Sequence, residues 1–165
     1  MQLNTKHFGV IEIDEKEIIY FPSGIPGFEN VKKYTLLGMQ EEEGTFFWLQ
    51  GVDDPELAFV VTDPFSVNDS YFVEADDDEI KEIDAKTPDR ILTLAIVTVP
   101  EDITKMSVNL KAPLLINMDN NRGMQVIMKN ETFPVRYYIT GQDMSPASAG
   151  SGDSFKIQTE GKNPV

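Results

Sequence analysis

The sequence predicts a mainly β protein: a small, antiparallel, partly open β-barrel-like domain with one or two short helices. Three observations carry this reading. Short runs rich in β-branched and aromatic residues recur along the chain, each bounded by turn residues. Only one stretch has the chemistry of a helix start. That leaves too little helix to supply the crossovers of a parallel sheet. The 165 residues, 41 % apolar and 25 % charged, are enough for one domain with a real core.

The β-prone runs follow in order. His7 to Ile13 opens the series, and Glu17 to Phe21 follows after Asp14-Glu15. Lys33 to Leu37 and Thr45 to Leu49 flank an acidic turn, Gln40 to Gly44. Leu57 to Thr62 is almost continuously apolar, as expected of a strand buried on both faces. Ile91 to Val99 is the longest such run and is read as the central strand. Ser107 to Leu110, Leu114 to Asn117, Met124 to Met128 and Val135 to Ile139 complete the set. The turn Met118 to Gly123 reads as a hairpin in which Asn and Gly supply positive φ.

The helical stretch is Asp76-Asp77-Asp78-Glu79-Ile80-Lys81-Glu82-Ile83. Its carboxylates suit the positive end of a helix dipole, and Ile80 and Ile83 would share a face. A second short turn is expected after Pro100, over Glu101 to Lys105. Past Gly141 the composition changes, and Ser145 to Gly152 is linker chemistry. The chain is therefore divided into a β domain at 1–141 and a flexible Gly/Ser-rich tail at 142–165.

Charge is the strongest compositional signal. Lys and Arg total 14 against 28 Asp and Glu, a net charge of −14. Such a field repels phosphate backbones and anionic lipid and attracts basic partners. Lys32-Lys33 is the only adjacent basic pair, so neither nucleic acid nor membrane is an expected partner. The first residues lack a basic start and an apolar run, and no apolar stretch approaches the roughly 20 residues of a bilayer span. A cytoplasmic protein is expected.

Catalytic chemistry lacks its parts. Cysteine is absent, which excludes disulfides, thiolate nucleophiles and Cys-based metal sites. The single histidine, His7, reads as a surface residue of an edge strand, and no nucleophile elbow or phosphate-binding glycine loop is present. Carboxylates are abundant, so a carboxylate-based hydrolase or a metal-binding protein stands as the alternative. Asp76, Asp77, Asp78 and Glu79 form its acidic patch, although a helix start explains them better. A self-assembling structural subunit is a third reading. No metal or cofactor is expected.

Two segments are less ordinary. In Phe21-Pro22-Ser23-Gly24-Ile25-Pro26-Gly27-Phe28-Glu29, two prolines and two glycines define a rigid turn carrying Phe21, Ile25 and Phe28. It suits either a binding surface or a plug for the end of a barrel. In Val108 to Asn117, Pro113 cannot donate to a ladder and restricts Ala112, which predicts a kink or an edge. Asn109 and Asn117 flank that break and can bond its open backbone.

These elements occur with Glu56-Leu57-Ala58-Phe59-Val60-Val61-Thr62-Asp63-Pro64-Phe65 and Gly123-x-Gln125-Val126-Ile127. Together, in this order, they resemble the flagellar assembly factor FliW family over residues 2–139. The resemblance implies a cytoplasmic, non-enzymatic protein that binds flagellin before export. It also implies binding to CsrA, the carbon storage regulator, an RNA-binding translational repressor. Abundant flagellin would occupy the factor; after export the factor would capture CsrA, antagonise it allosterically and relieve repression of flagellin mRNA. The protein would be a monomer before binding. Phe21, Pro22, Gly24, Ile25, Pro26, Gly27, Phe28, Phe65, Asn109, Leu110, Pro113 and Asn117 are the expected contributors to partner surfaces, with core packing as the competing role for the apolar ones.

Overall fold

β-branched and aromatic residues dominate the strands, and the turns between them are short. A computed structural model describes residues 1–38 and 46–139. The acidic turn at 40–44 and the tail at 142–165 lie outside the described residues.

β1 (Gln2–Thr5) and β2 (Gly9–Glu12) pair as a separate antiparallel hairpin. The main sheet contains β3 (Ile19–Tyr20), β4 (Lys33–Leu37), β5 (Phe46–Gly51), β6 (Ala58–Thr62) and β7 (Ile91–Thr98). It also contains β8 (Ser107–Val108), β9 (Leu114–Asn117), β10 (Arg122–Gln125) and β11 (Tyr137–Tyr138). Their order is β11-β8-β7-β6-β5-β4-β3-β10-β9, and β9 also pairs with β7. Seven strands thus come round into a ring-like sheet, without forming a regular barrel. The pairings are antiparallel except at β3 and β10, which run parallel through Tyr20 and Arg122.

The mainly β architecture is the expected one, and β7 is its central strand. β7 is buried on both faces. Leu92, Leu94 and Ile96 contribute to one core and Ile91, Ala95 and Val97 to another. The first core takes side chains from strands all round the ring, including Tyr34, Leu49, Val61 and Leu114, so it fills the inside. The second lies on the outer face, where Tyr71, Val73, Ile83, Leu110, Met128 and Phe133 cover β7 and Leu115. The segments 68–90 and 126–139 supply that cover with little regular structure of their own.

Three local readings are corrected, and one strand lies outside the expected runs. Residues 76–83 make turns and one 3-10 helix, Lys81–Ile83, instead of an α-helix. The Asp76 carbonyl accepts from Glu79 N and Ile80 N, and the Glu79 carboxylate accepts from Asp76 N at 2.8 Å, which completes a single capped turn. Asp84 then takes a left-handed conformation, φ 51°, and ends the segment. Ile80 and Ile83 do bury together, in the outer core.

His7 is not on a strand; it lies in the β1–β2 turn and stacks on Trp48 with ring centroids 4.2 Å apart. β1 itself was not anticipated, because Leu3 is its only large apolar residue. In the β9–β10 hairpin, Asn121 has positive φ (56°) but Gly123 does not. Gly123 instead makes room for Phe21: an added Cβ would lie 2.7 Å from that ring. The expected turn after Pro100 is present as a 3-10 helix, Ile103–Lys105.

Phe21 and Tyr34 meet edge to face at 5.2 Å in the inner core, both fully buried. Gly123→Ala is therefore expected to overpack this contact and cost about 1–3 kcal/mol in urea unfolding, with Phe21→Leu relieving part of the loss in the double variant. Burial, assisted by the charge of Asp54, pushes the Tyr34 hydroxyl up from 10.0 to about 12. The unfolded chain then releases this proton at lower pH than the folded chain does. Stability should fall as pH rises from 10.0 to about 12, and Tyr34→Phe should flatten that part of the profile in pH-dependent denaturation.

Candidate partner-binding surface

Proline and glycine chemistry divides the 21–28 turn into an inner and an outer tier. Phe21 N donates to Lys32 O at 2.7 Å, Gly24 N to Phe21 O at 2.9 Å and Phe28 N to Ile25 O at 2.7 Å. Gly24 has φ +72°, and a Cβ there would stand 2.7 Å from the Glu29 backbone, so only glycine fits. Phe21, Gly24 and Ile25 are buried and close one end of the ring. Pro22 is half-buried, whereas Pro26, Gly27 and Phe28 are exposed.

Phe28 keeps 43 % of its surface in solvent while its ring meets Phe59 edge to face at 5.1 Å. Glu29 braces the exposed tier. Gly27 N donates to its carboxylate at 3.0 Å, and this backbone bond is the main reason its pKa lies below the ordinary value. The Ser23 hydroxyl donates to the Glu82 carboxylate, tying the turn to the segment over the outer core. Sequence reasoning missed Phe59; the motif contained it, but only the packing sets it beneath Phe28.

The 109–117 kink is built from buried polar bonds. Asn109 Oδ1 accepts from Lys111 N at 3.1 Å and Ala112 N at 3.0 Å, so it bonds the open backbone as expected. Leu110 is fully buried, and its carbonyl accepts from the Tyr71 hydroxyl at 2.8 Å. Desolvation raises the Tyr71 pKa. Pro113 is buried as well. Asn117, 1 % exposed, donates to Ile83 O at 2.8 Å and accepts from Asp119 N at 2.9 Å.

Phe65 sits at the start of the short helix α1 (Pro64–Val67), whose N-cap is Asp63. Phe65 N donates to Asp63 Oδ1 at 2.9 Å, and Pro64 takes a helix position that needs no donor. Burial raises the Asp63 pKa against the lowering effect of these bonds. The half-buried Phe65 ring meets Tyr71 at 5.4 Å. Phe65 and Leu110 are thus linked through Tyr71 in the outer core, whereas Phe21 and Ile25 belong to the inner core. The two segments do not merge into one apolar patch.

The acidic residues spread out. Asp77 and Asp78 are exposed, and Asp76 pairs with Lys129 at 3.2 Å. Hydrogen bonding to Asp76 is the first cause of the raised Lys129 pKa. Among the described residues, no three His, Cys, Asp or Glu side chains come together closely enough to hold a metal ion. No helix among the described residues is long and apolar enough to cross a membrane.

These features define a ring-like β scaffold that presents braced loops on its surface. The sequence profile described as FliW protein matches residues 2–139. A flagellar assembly factor FliW from Caldanaerobacter subterraneus is 42 % identical over 139 residues, covering 84 % of this chain and 93 % of its own. One from Lachnospira eligens is 43 % identical over 142 residues, with 84 % and 94 % covered. The crystal structure of a flagellar assembly factor FliW superposes with a TM-score of 0.77 at 32 % identity, covering 90 % of this chain and all of that one. The chain belongs to the FliW family of flagellar assembly factors.

Burial separates packing from presentation at the named positions. Leu110→Ala should cost about 2–5 kcal/mol in denaturant unfolding, since it empties a fully buried site. Phe28→Ser should cost about 1 kcal/mol or less, because only part of its ring is covered.

Proposed function

We propose that this chain is a cytoplasmic, non-enzymatic binding factor that engages flagellin and the translational repressor CsrA in alternation. In this reading flagellin occupies the factor until it is exported. The freed factor, a monomer, then binds CsrA away from its RNA site and lowers its affinity for flagellin mRNA. Membership in a family of flagellar assembly factors is the observation that carries the reading. The net charge of −14 supports it further, since an acidic neighbour weakens a basic protein's hold on phosphate. No cofactor enters this scheme. The β domain at 1–141 is taken as the binding unit, with 142–165 as an appended tail.

For the surface, the exposed tier Pro26-Gly27-Phe28 is the favoured part of the residues named from sequence. Phe28 offers an aromatic ring on a turn whose backbone is already braced, so little ordering is lost on binding. The buried Phe21, Gly24, Ile25, Leu110, Pro113 and Asn117 would act by holding the loops in place, with Pro22, Phe65 and Asn109 at the margins.

Isothermal titration with purified CsrA and with flagellin monomer tests the function. Binding to both, with flagellin displacing CsrA, is the expected result; binding to neither by the folded protein would refute it. In the same experiment Phe28→Ser should weaken one partner by about tenfold or more. Unchanged affinity for both would move the surface elsewhere without touching the switch itself.

A further inference from the structure

The β1–β2 hairpin stands apart from the ring it adjoins. It is a two-stranded sheet of its own, and no ladder joins it to the main sheet. Among the described residues, one backbone hydrogen bond ties residues 1–13 to the rest of the chain, from Lys6 N to Pro55 O at 3.1 Å. Leu3 and Ile13 are buried, yet they join neither the inner core nor the outer one. At the Leu37–Gly38 end of β4 a cavity of about 640 Å³ opens to solvent. Ile11 and Ile13 line it from the hairpin, and Ile19, Leu36, Leu92 and Ile116 line it from the ring. The apolar groups of hairpin and ring therefore face a gap there.

The segment that follows the hairpin is fastened. Asp14 caps the 3-10 helix Glu15–Glu17. Thr35 Oγ1 donates to Glu17 O at 3.3 Å, and Asn121 Nδ2 donates to Lys16 O at 2.7 Å. The hairpin's base is thus fixed, while its tip is only clasped. His7, the single histidine, stacks on Trp48, the single tryptophan, and Phe8 meets the same ring edge-on at 6.1 Å. Lys6 pairs with Glu56 at 3.7 Å, but both side chains lie largely in solvent, where such a pair adds little.

A unit that shares neither a ladder nor a core with its neighbour can open before the whole fold does. We propose that the β1–β2 hairpin is a flap, hinged at Ile13–Asp14 and clasped at its tip by His7 on Trp48, that opens as a unit while the ring stays folded. Opening carries Leu3 and Ile13 into solvent and lifts His7 from Trp48. The open state then presents apolar surface that the closed state hides. The flap does not depend on the partners proposed above.

Native-state hydrogen exchange on the full chain tests it. Ile13 N donates to Met1 O, so by register Leu3 and Ile11 form the next bonded pair of the hairpin. A lone two-stranded hairpin holds its ladder poorly in water, and undocking should free these amides together. The amides of Leu3, Ile11 and Ile13 should be at least about tenfold less protected than those of β7 and agree among themselves within about threefold. Their exchange should depend little on low urea, because opening exposes a small surface. His7→Ala should speed it about three- to tenfold and leave the β7 amides unchanged, whereas His7→Phe, which keeps a ring on Trp48, should match the parent. Protection equal to that of β7, with the full urea slope, would make the hairpin part of the ring's cooperative unit and overturn the proposal. So would protection that falls residue by residue towards the terminus, which is fraying. Equal effects of His7→Ala and His7→Phe would overturn the clasp.

Discussion

The double pairing of β7 is the constraint on which the rest of the fold depends. Its first half bonds to β9, its second half to β8, and its other edge to β6. The bond to β9 closes the ring, and without it the inner core would face water along one side. The same strand carries apolar residues on both faces, so it is simultaneously a wall of the inner core and the floor of the outer one. Eight consecutive strand residues are what three partners require.

Closure at β7 gives the loops their rigidity. The 21–28 turn is held because Phe21 enters the ring against Gly123 and Tyr34, and its exposed tip inherits that anchoring. The 109–117 kink is held because Leu110 and Asn117 lock into the segments that cover the outer face. The loop after β5 follows the same logic. Gln50, fully buried, donates to the carbonyls of Gly51, Pro55 and Leu57 and so fastens a turn that has little apolar surface of its own. An aromatic residue presented on such a loop meets a partner with most of its ordering cost already met by folding.

The two ends of the ring have different characters. One is packed with aromatic side chains and displays Phe28; the other opens to solvent, with Leu36, Leu92 and Ile116 beside Glu12, Lys16 and Glu17. Any coupling between them would have to run through the shared inner core, where Tyr34, Leu94 and Leu114 lie between the plug and the cavity floor.

Strand identity was legible in the sequence because β-branched runs and turn residues report local preference. β4 and β9 match the runs Lys33–Leu37 and Leu114–Asn117 residue for residue, and β7 ends within one residue of its predicted limit. The family was legible too, since the Gly-Ile-Pro-Gly-Phe and Asn-Leu-x-Ala-Pro elements combine rare turn chemistry in a fixed order. Local pattern also showed that residues 21–28 and 109–117 were special, but not which of their side chains would be buried. Phe21 and Phe28 have the same chemistry seven residues apart, and only ring closure places one against Gly123 and the other in solvent. The short turn at 76–83, the parallel contact between β3 and β10, and the cavity beside β2 were likewise decided by tertiary structure. Each depends on contacts between residues far apart in the chain, and such contacts leave no period or spacing in the sequence around them.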